Sequence, residues 1–184
     1  VPSVQLPPSM PTITESQAVA VMTNVEFVGH IDGASLSVVV QGNLMFLGIG
    51  HKLVVFDISD PASPLVVGKT EPLPGVVMDF IIVDGFAYVA DDEAGMWIVD
   101  IAYPATPTLC GFYSIPKYAI HDEVNELKYD DVASVAVQNG YAYVAEYQYG
   151  LRIVDISDPT NPVEVGFYDT PGEAHGVVVV GEIA

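Results

Sequence analysis

The chain has 184 residues, 51% hydrophobic and only 16% charged, which suits one domain with a sizeable core. Its 24 acidic residues against 5 basic ones give a formal net charge of −19, which argues against nucleic acid and anionic bilayers as partners and favours cations or basic proteins. A single cysteine, Cys110, excludes an internal disulfide, and Asp79 interrupts an apolar run that already falls short of the roughly 18 residues a membrane span requires.

Residues 1–23 hold Pro2, Pro7, Pro8 and Pro11 and read as an extended arm or linker. This start has no basic region and no apolar core of a signal peptide, yet it would suit the first residues left after one had been cleaved. From Asn24 onward the sequence repeats. Val25 to His30 matches Val163 to Tyr168, so the repetitive part, 24–184, opens on the last strand of a unit.

Three segments then superimpose: Leu53 to Pro61, Met96 to Pro104 and Leu151 to Pro159. Each is followed by a second proline, Pro64, Pro107 or Pro162, and by a glycine, Gly68, Gly111 or Gly166. Asp57 and Asp100 lie 43 residues apart, and Asp100 and Asp155 lie 55 apart, so the third unit carries an insertion. A period in the low forties built only of strand signals is the blade length of a β-propeller.

Within the unit, Val76 to Val83 is predicted as the first strand. Asp84-Gly85, repeated as Asn139-Gly140, tolerates the positive φ of a two-residue hairpin turn. Phe86 to Asp91 and Met96 to Ile101 supply the second and third strands, with a loop at Asp92 to Gly95. The Asp-Pro-x-x-Pro segment is the next turn, and a fourth strand begins at Leu65, Leu109 or Val163. Tyr103 stands where the other units have the turn aspartate, which removes one side-chain cap. Residues Ala174 to Ala184 match a first strand and the start of a second. The expectation is an all-β, propeller-like array of four-stranded antiparallel blades, about three complete and partial at both ends. Such blades bury their apolar faces only against neighbouring blades.

The recurring Leu-Val-Val-Phe-Asp-Ile, Met-Trp-Ile-Val-Asp-Ile and Leu-Arg-Ile-Val-Asp-Ile, each with its proline turn, resemble the LVIVD repeat of bacterial and archaeal surface proteins. The resemblance implies a propeller-like array, usually exported, without a shared catalytic site, and it transfers no functional residues.

In a propeller the loop between the second and third strands and the loop joining blades share one face. That face would gather His51, Asp91, Asp92, Glu93 and Glu146, with His121, Asp122, Glu123, Glu126, Asp130, Asp131, Asp169 and Glu173 from the connections. Asp91, Asp92 and Glu93 are the candidate metal ligands, since Ca²⁺ prefers clustered carboxylate oxygens, although the spacing matches no dedicated calcium loop and a solvated acidic rim is the plainer reading. The insertion, Lys117 to Asp131, is the candidate recognition element. His121, Asp122, Glu123, Glu126 and Tyr129 are its binding candidates, joined by Tyr147 and Tyr149, whose rings could stack on a sugar or a partner chain. Cys110 aligns with Val67 and Val165 and reads as a small hydrophobe.

The function expected is a non-enzymatic, exported module that makes protein or glycan contacts at a cell surface or in an extracellular assembly, with no obligatory cofactor. Two alternatives stand beside it: a structural subunit completed by strands of a neighbouring chain, and a hydrolase or lyase using carboxylates of the acidic face.

Overall fold

The computed structural model describes residues 28, 30–31, 34–92, 94–114 and 132–184. Among these there is no helix, and twelve strands form three separate four-stranded antiparallel sheets. Blade 1 comprises β1 (Ser35–Gln41), β2 (Leu44–Ile49), β3 (Lys52–Asp57) and β4 (Leu65–Lys69). Blade 2 comprises β5 (Asp79–Val83), β6 (Phe86–Ala90), β7 (Met96–Asp100) and β8 (Thr108–Tyr113). Blade 3 comprises β9 (Ser134–Gln138), β10 (Tyr141–Glu146), β11 (Gly150–Asp155) and β12 (Val163–Tyr168).

The turns form where the residue chemistry places them. Asp84 and Gly85 have φ of 50° and 82°, and Asn139 and Gly140 have 53° and 79°, the paired left-handed conformations of a tight hairpin. The motif aspartates Asp57, Asp100 and Asp155 each accept a hydrogen bond from the backbone N–H two residues on, at 2.8, 2.9 and 2.9 Å. These bonds hold the exposed Asp57 and Asp155 carboxyls below their ordinary range, through the side chain and N–H of Ser59 and through the N–H and side chain of Ser157. In the proline turn, Asp60 and Asp158 cap the N–H groups of Ala62 and Thr160. Tyr103 offers no such cap, and its turn closes through the backbone alone, Thr106 N–H to Tyr103 C=O at 2.9 Å. A register shift recurs at one place in every blade, between Val55 and Phe56, Ile98 and Val99, and Ile153 and Val154. Cys110, like Val67 and Val165, is the residue this bulge leaves over.

The sheets stack face to face. Phe80, Ile82, Ala87, Val89 and Val99 of blade 2 bury against Phe46, Leu53 and Val55 of blade 1. On the opposite face, Tyr88, Met96 and Ile98 bury against Val135, Ala142, Val144 and Val154 of blade 3. The first strands β1, β5 and β9 lie beside one another along the inner side of the array. Some expected elements are shorter than read: β6 ends at Ala90 rather than Asp91, and β7 at Asp100 rather than Ile101. The β5 ladder begins at Asp79 rather than Val76, because the N–H groups of Val77 and Met78 go to Gly50 and Ala90 carbonyls instead. The final segment makes only isolated bridges, Tyr147 with Ala174 and Val180 with Ile183. The arm at 1–23 lies outside the described residues, as does most of the strand expected before blade 1.

Candidate functional site

Successive blades are joined at their loop ends by one repeated backbone bond. Val77 N–H donates to Gly50 C=O at 2.9 Å, Val132 N–H to Asp92 C=O at 2.8 Å, and Ala174 N–H to Tyr147 C=O at 2.7 Å. The third bond places 174–184 at the inner side of blade 3, where a further first strand belongs. Just before these acceptors, at the end of the second strand, stand Asp91 and Glu146, both 0% exposed.

Asp91 is enclosed because the blade 1 to blade 2 connection passes directly over it, so close that a Cβ on Gly75 would strike its backbone carbonyl. Its Oδ2 accepts the Gly75 N–H at 3.1 Å, and the Trp97 indole N–H acts on the same carboxyl. Burial pushes the Asp91 carboxyl above its ordinary range, against the opposing pull of the Gly75 N–H and the nearby His51.

Along the inner side, Asp79 joins all three blades. Its Oδ1 accepts from Ser37 Oγ at 3.1 Å and Phe80 N–H at 2.9 Å, and its Oδ2 accepts from Ser134 Oγ at 2.8 Å and Val135 N–H at 3.4 Å. Ser37, Asp79 and Ser134 are equivalent residues of the three units, each four positions before the end of its first strand.

Between blades 2 and 3 runs a polar chain. The Tyr113 hydroxyl donates to Glu164 Oε2 at 2.5 Å, Arg152 Nη1 lies 3.8 Å from Glu164 Oε1, and Arg152 Nε lies 3.5 Å from Glu146 Oε2. The Arg152 guanidinium also sits 4.9 Å from the Phe167 ring centroid, a cation–π contact with its cross-strand partner. Blade 2 fills the same pair of positions with Trp97 and Phe112, whose rings are 4.6 Å apart. Burial, then the charge of Glu146, push the Tyr113 phenol far above its ordinary value, so it remains a proton donor to Glu164.

Of the residues singled out from sequence, Tyr147 and Tyr149 lie together on the β10–β11 loop, half-buried. The Tyr147 ring meets His175 edge-on at 4.9 Å, and His175 pairs with Glu173 at 3.4 Å. His121, Asp122, Glu123, Glu126, Tyr129 and Glu93 lie outside the described residues. Asp91 and Asp92 are adjacent but serve different neighbours, Gly75 and Val132. Among the described residues no group of three or more His, Cys, Asp or Glu could hold a metal ion. Cys110 is half-buried with its thiol pushed up by burial and turned to the Ile98 carbonyl.

Sequence reasoning did not single out Asp79, Tyr113, Arg152 or Glu164. Arg152 carried a signal, since it is the one charge inside an otherwise apolar Leu-Arg-Ile-Val strand. Asp79 carried a weaker one, as an acid aligned with two serines.

Among solved structures the chain is similar to the computationally designed Ika4 protein, at 9% identity with a TM-score of 0.61 over 85% of each chain. It is also similar to the designed Ika8 protein, at 9% identity with a TM-score of 0.59, over 80% of this chain and 41% of that one. At such identity these matches speak for the fold alone. No functionally curated protein matches the chain. The LVIVD repeat model matches three consecutive stretches, 32–71, 74–114 and 130–170, and the chain, a β-propeller-type repeat module, belongs to the LVIVD repeat family.

Proposed function

We propose that this module is an exported, non-enzymatic scaffold whose loop rim makes protein or glycan contacts. The observation that carries the reading is the Tyr147–His175 pair, two rings at 4.9 Å in edge-to-face contact at the end of blade 3. His175 is exposed, and Tyr149 lies two residues away on the same loop. Rings that present an apolar body and a polar tip at a rim suit stacking on a sugar or a partner chain. Asp91 and Glu146 are withdrawn into blade junctions rather than standing on the rim. Those two carboxylates are already engaged, by Gly75 and by Arg152, which weighs against their use as a hydrolase's acid and base. Among the described residues no helix is long and apolar enough to cross a membrane.

The test is binding of the full chain to arrays of soluble glycans and of purified extracellular matrix proteins. Specific binding that Tyr147→Ala and His175→Ala each weaken, with melting behaviour retained, is the expected result. Absence of binding on both arrays, or binding indifferent to both substitutions, overturns the proposal.

A further inference from the structure

Between blades 2 and 3, at the end that carries the hairpins and proline turns, the stacked sheets leave a groove of about 590 Å³. Phe86 and Tyr88 of blade 2 line one side, Ile156 and Pro159 of blade 3 the other, and the exposed turn residues Asp84 and Asn139 stand beside them. Sites for small ligands commonly span about 300 to 1,000 Å³.

Tyr88 is 4% exposed, yet its hydroxyl makes no hydrogen bond with any described residue. The oxygen is not sealed inside the protein, so it is the groove that reaches it. Burial first, then Cys110 and Asp84, push the phenol up, which keeps it a neutral donor and acceptor. A hydroxyl enclosed to this degree is costly unless a partner satisfies it. Stacking of the blades does not require it. In the junction between blades 1 and 2, Phe46 holds the place of Tyr88, Gly42 that of Asp84 and Val83 that of Gln138, and Phe46 packs there at 2% exposed.

The remaining polar groups of the groove are also unspent. The Asp84 and Asn139 side chains make no hydrogen bond with described residues, and Gln138 donates its Nε2–H to the Gly181 carbonyl, leaving Oε1 as an acceptor. No Lys, Arg or His lines the groove, so anions find no counter-charge in it. A cation would suit Asp84 but would leave the Tyr88 hydroxyl and the Asn139 amide without acceptors. Sugar hydroxyls both donate and accept, and the apolar face of a pyranose fits an aromatic wall.

We propose that this groove binds a neutral mono- or disaccharide, with its apolar face on Phe86 and one hydroxyl paired with Tyr88. The inference does not depend on the rim-binding function, since the groove lies at the end of the blades opposite Tyr147 and His175.

Amide NMR shifts of the isotope-labelled full chain test it, in titrations with galactose, N-acetylglucosamine, cellobiose and tetramethylammonium. At least one sugar is expected to produce saturable shifts at Gly85 and Gly140. Tyr88→Phe, a side chain that Phe46 shows to be accommodated, should weaken that binding about fivefold, the effect of one lost hydrogen bond. Asn139→Asp keeps the turn, as Asp84 shows, and should weaken it several-fold by removing an amide donor. Tyr147→Ala should leave it unchanged. The absence of saturable shifts with every sugar, binding indifferent to either groove substitution, or shifts produced by tetramethylammonium alone would each overturn the proposal. Sugar binding lost in Tyr147→Ala and kept in Tyr88→Phe would also overturn it, while leaving the rim reading intact.

Discussion

Gly111 lies directly beneath the carbonyl of Pro159, so the fourth strand of blade 2 and the proline turn of blade 3 touch backbone to backbone. Only a residue without a Cβ permits that approach, and the same holds for Gly68 beneath Pro104. Gly111→Ala should therefore force blades 2 and 3 apart at a cost of about 3 kcal/mol or more, as overpacking against unyielding backbone does. Gly166→Ala, whose Cβ would meet only the Ile153 side chain among the described residues, should stay within about 0.5 kcal/mol of the parent in this chain. Urea denaturation of the two variants side by side checks the contrast, and equal effects would show that these glycines are kept for some reason other than stacking.

Asp79 ties three first strands together with four accepted hydrogen bonds, two from serine hydroxyls of the flanking blades. Hydrogen bonds to a charged group contribute roughly 1.5 to 3 kcal/mol each, and they are not additive. Asp79→Ala is expected to cost on the order of 3 kcal/mol, and Ser134→Ala about 1 to 2 kcal/mol. In the background of Asp79→Ala, removing the Ser134 hydroxyl should cost much less than it does alone. A double-mutant cycle measured by chemical denaturation reads this coupling, and full additivity would contradict it.

Much of this architecture was legible in the chain. The period, the Asp-Gly and Asn-Gly hairpins and the proline turns are local chemistry, and the backbone follows them residue by residue. Tyr103 was legible too, as a missing cap. What could not be read was which polar residues the stacking would enclose. Asp91 looks like a loop acid beside Asp92 in sequence, and it becomes a buried carboxyl only because Gly75, 16 residues earlier, crosses over it. Likewise Tyr113 and Glu164 are 51 residues apart, and their contact exists only because two blades meet. Long-range pairings between repeats have no signature in spacing.

The Glu146–Arg152 pair illustrates how a buried polar cluster can be neutral overall and still fragile. Arg152 and Glu146 are both enclosed, so Arg152→Met leaves a buried carboxylate without its counter-charge and should cost about 3 to 5 kcal/mol. Blade 2 shows an aromatic solution for the arginine position, Trp97 against Phe112. The double variant Arg152→Met with Glu146→Leu should recover most of the loss, because removing both charges abolishes the desolvation cost along with the attraction. Thermal melting of the three proteins decides the matter. A double variant no more stable than Arg152→Met would mean that Glu146 is held chiefly by groups other than the arginine.

Asp91 sets a dependence on pH whose sign follows from burial. Its carboxyl titrates above the ordinary range because desolvation outweighs the Gly75 N–H and the influence of His51, with Asp92 adding to the rise. A carboxyl raised in the folded state favours folding fully below the unfolded value, roughly 3.9, and that contribution is lost as pH climbs through the folded value. Asp91→Asn keeps an oxygen to accept the Gly75 N–H and never has to ionise. Its melting temperature relative to the parent should therefore rise from about pH 4 to pH 7, with the two proteins closest at the acid end. The other carboxylates of this acidic chain titrate in both proteins, so the difference between the two melting curves isolates position 91. A difference that is flat across that range, or that favours the parent at pH 7, would show that the Asp91 carboxylate is stabilised in its charged form where it lies.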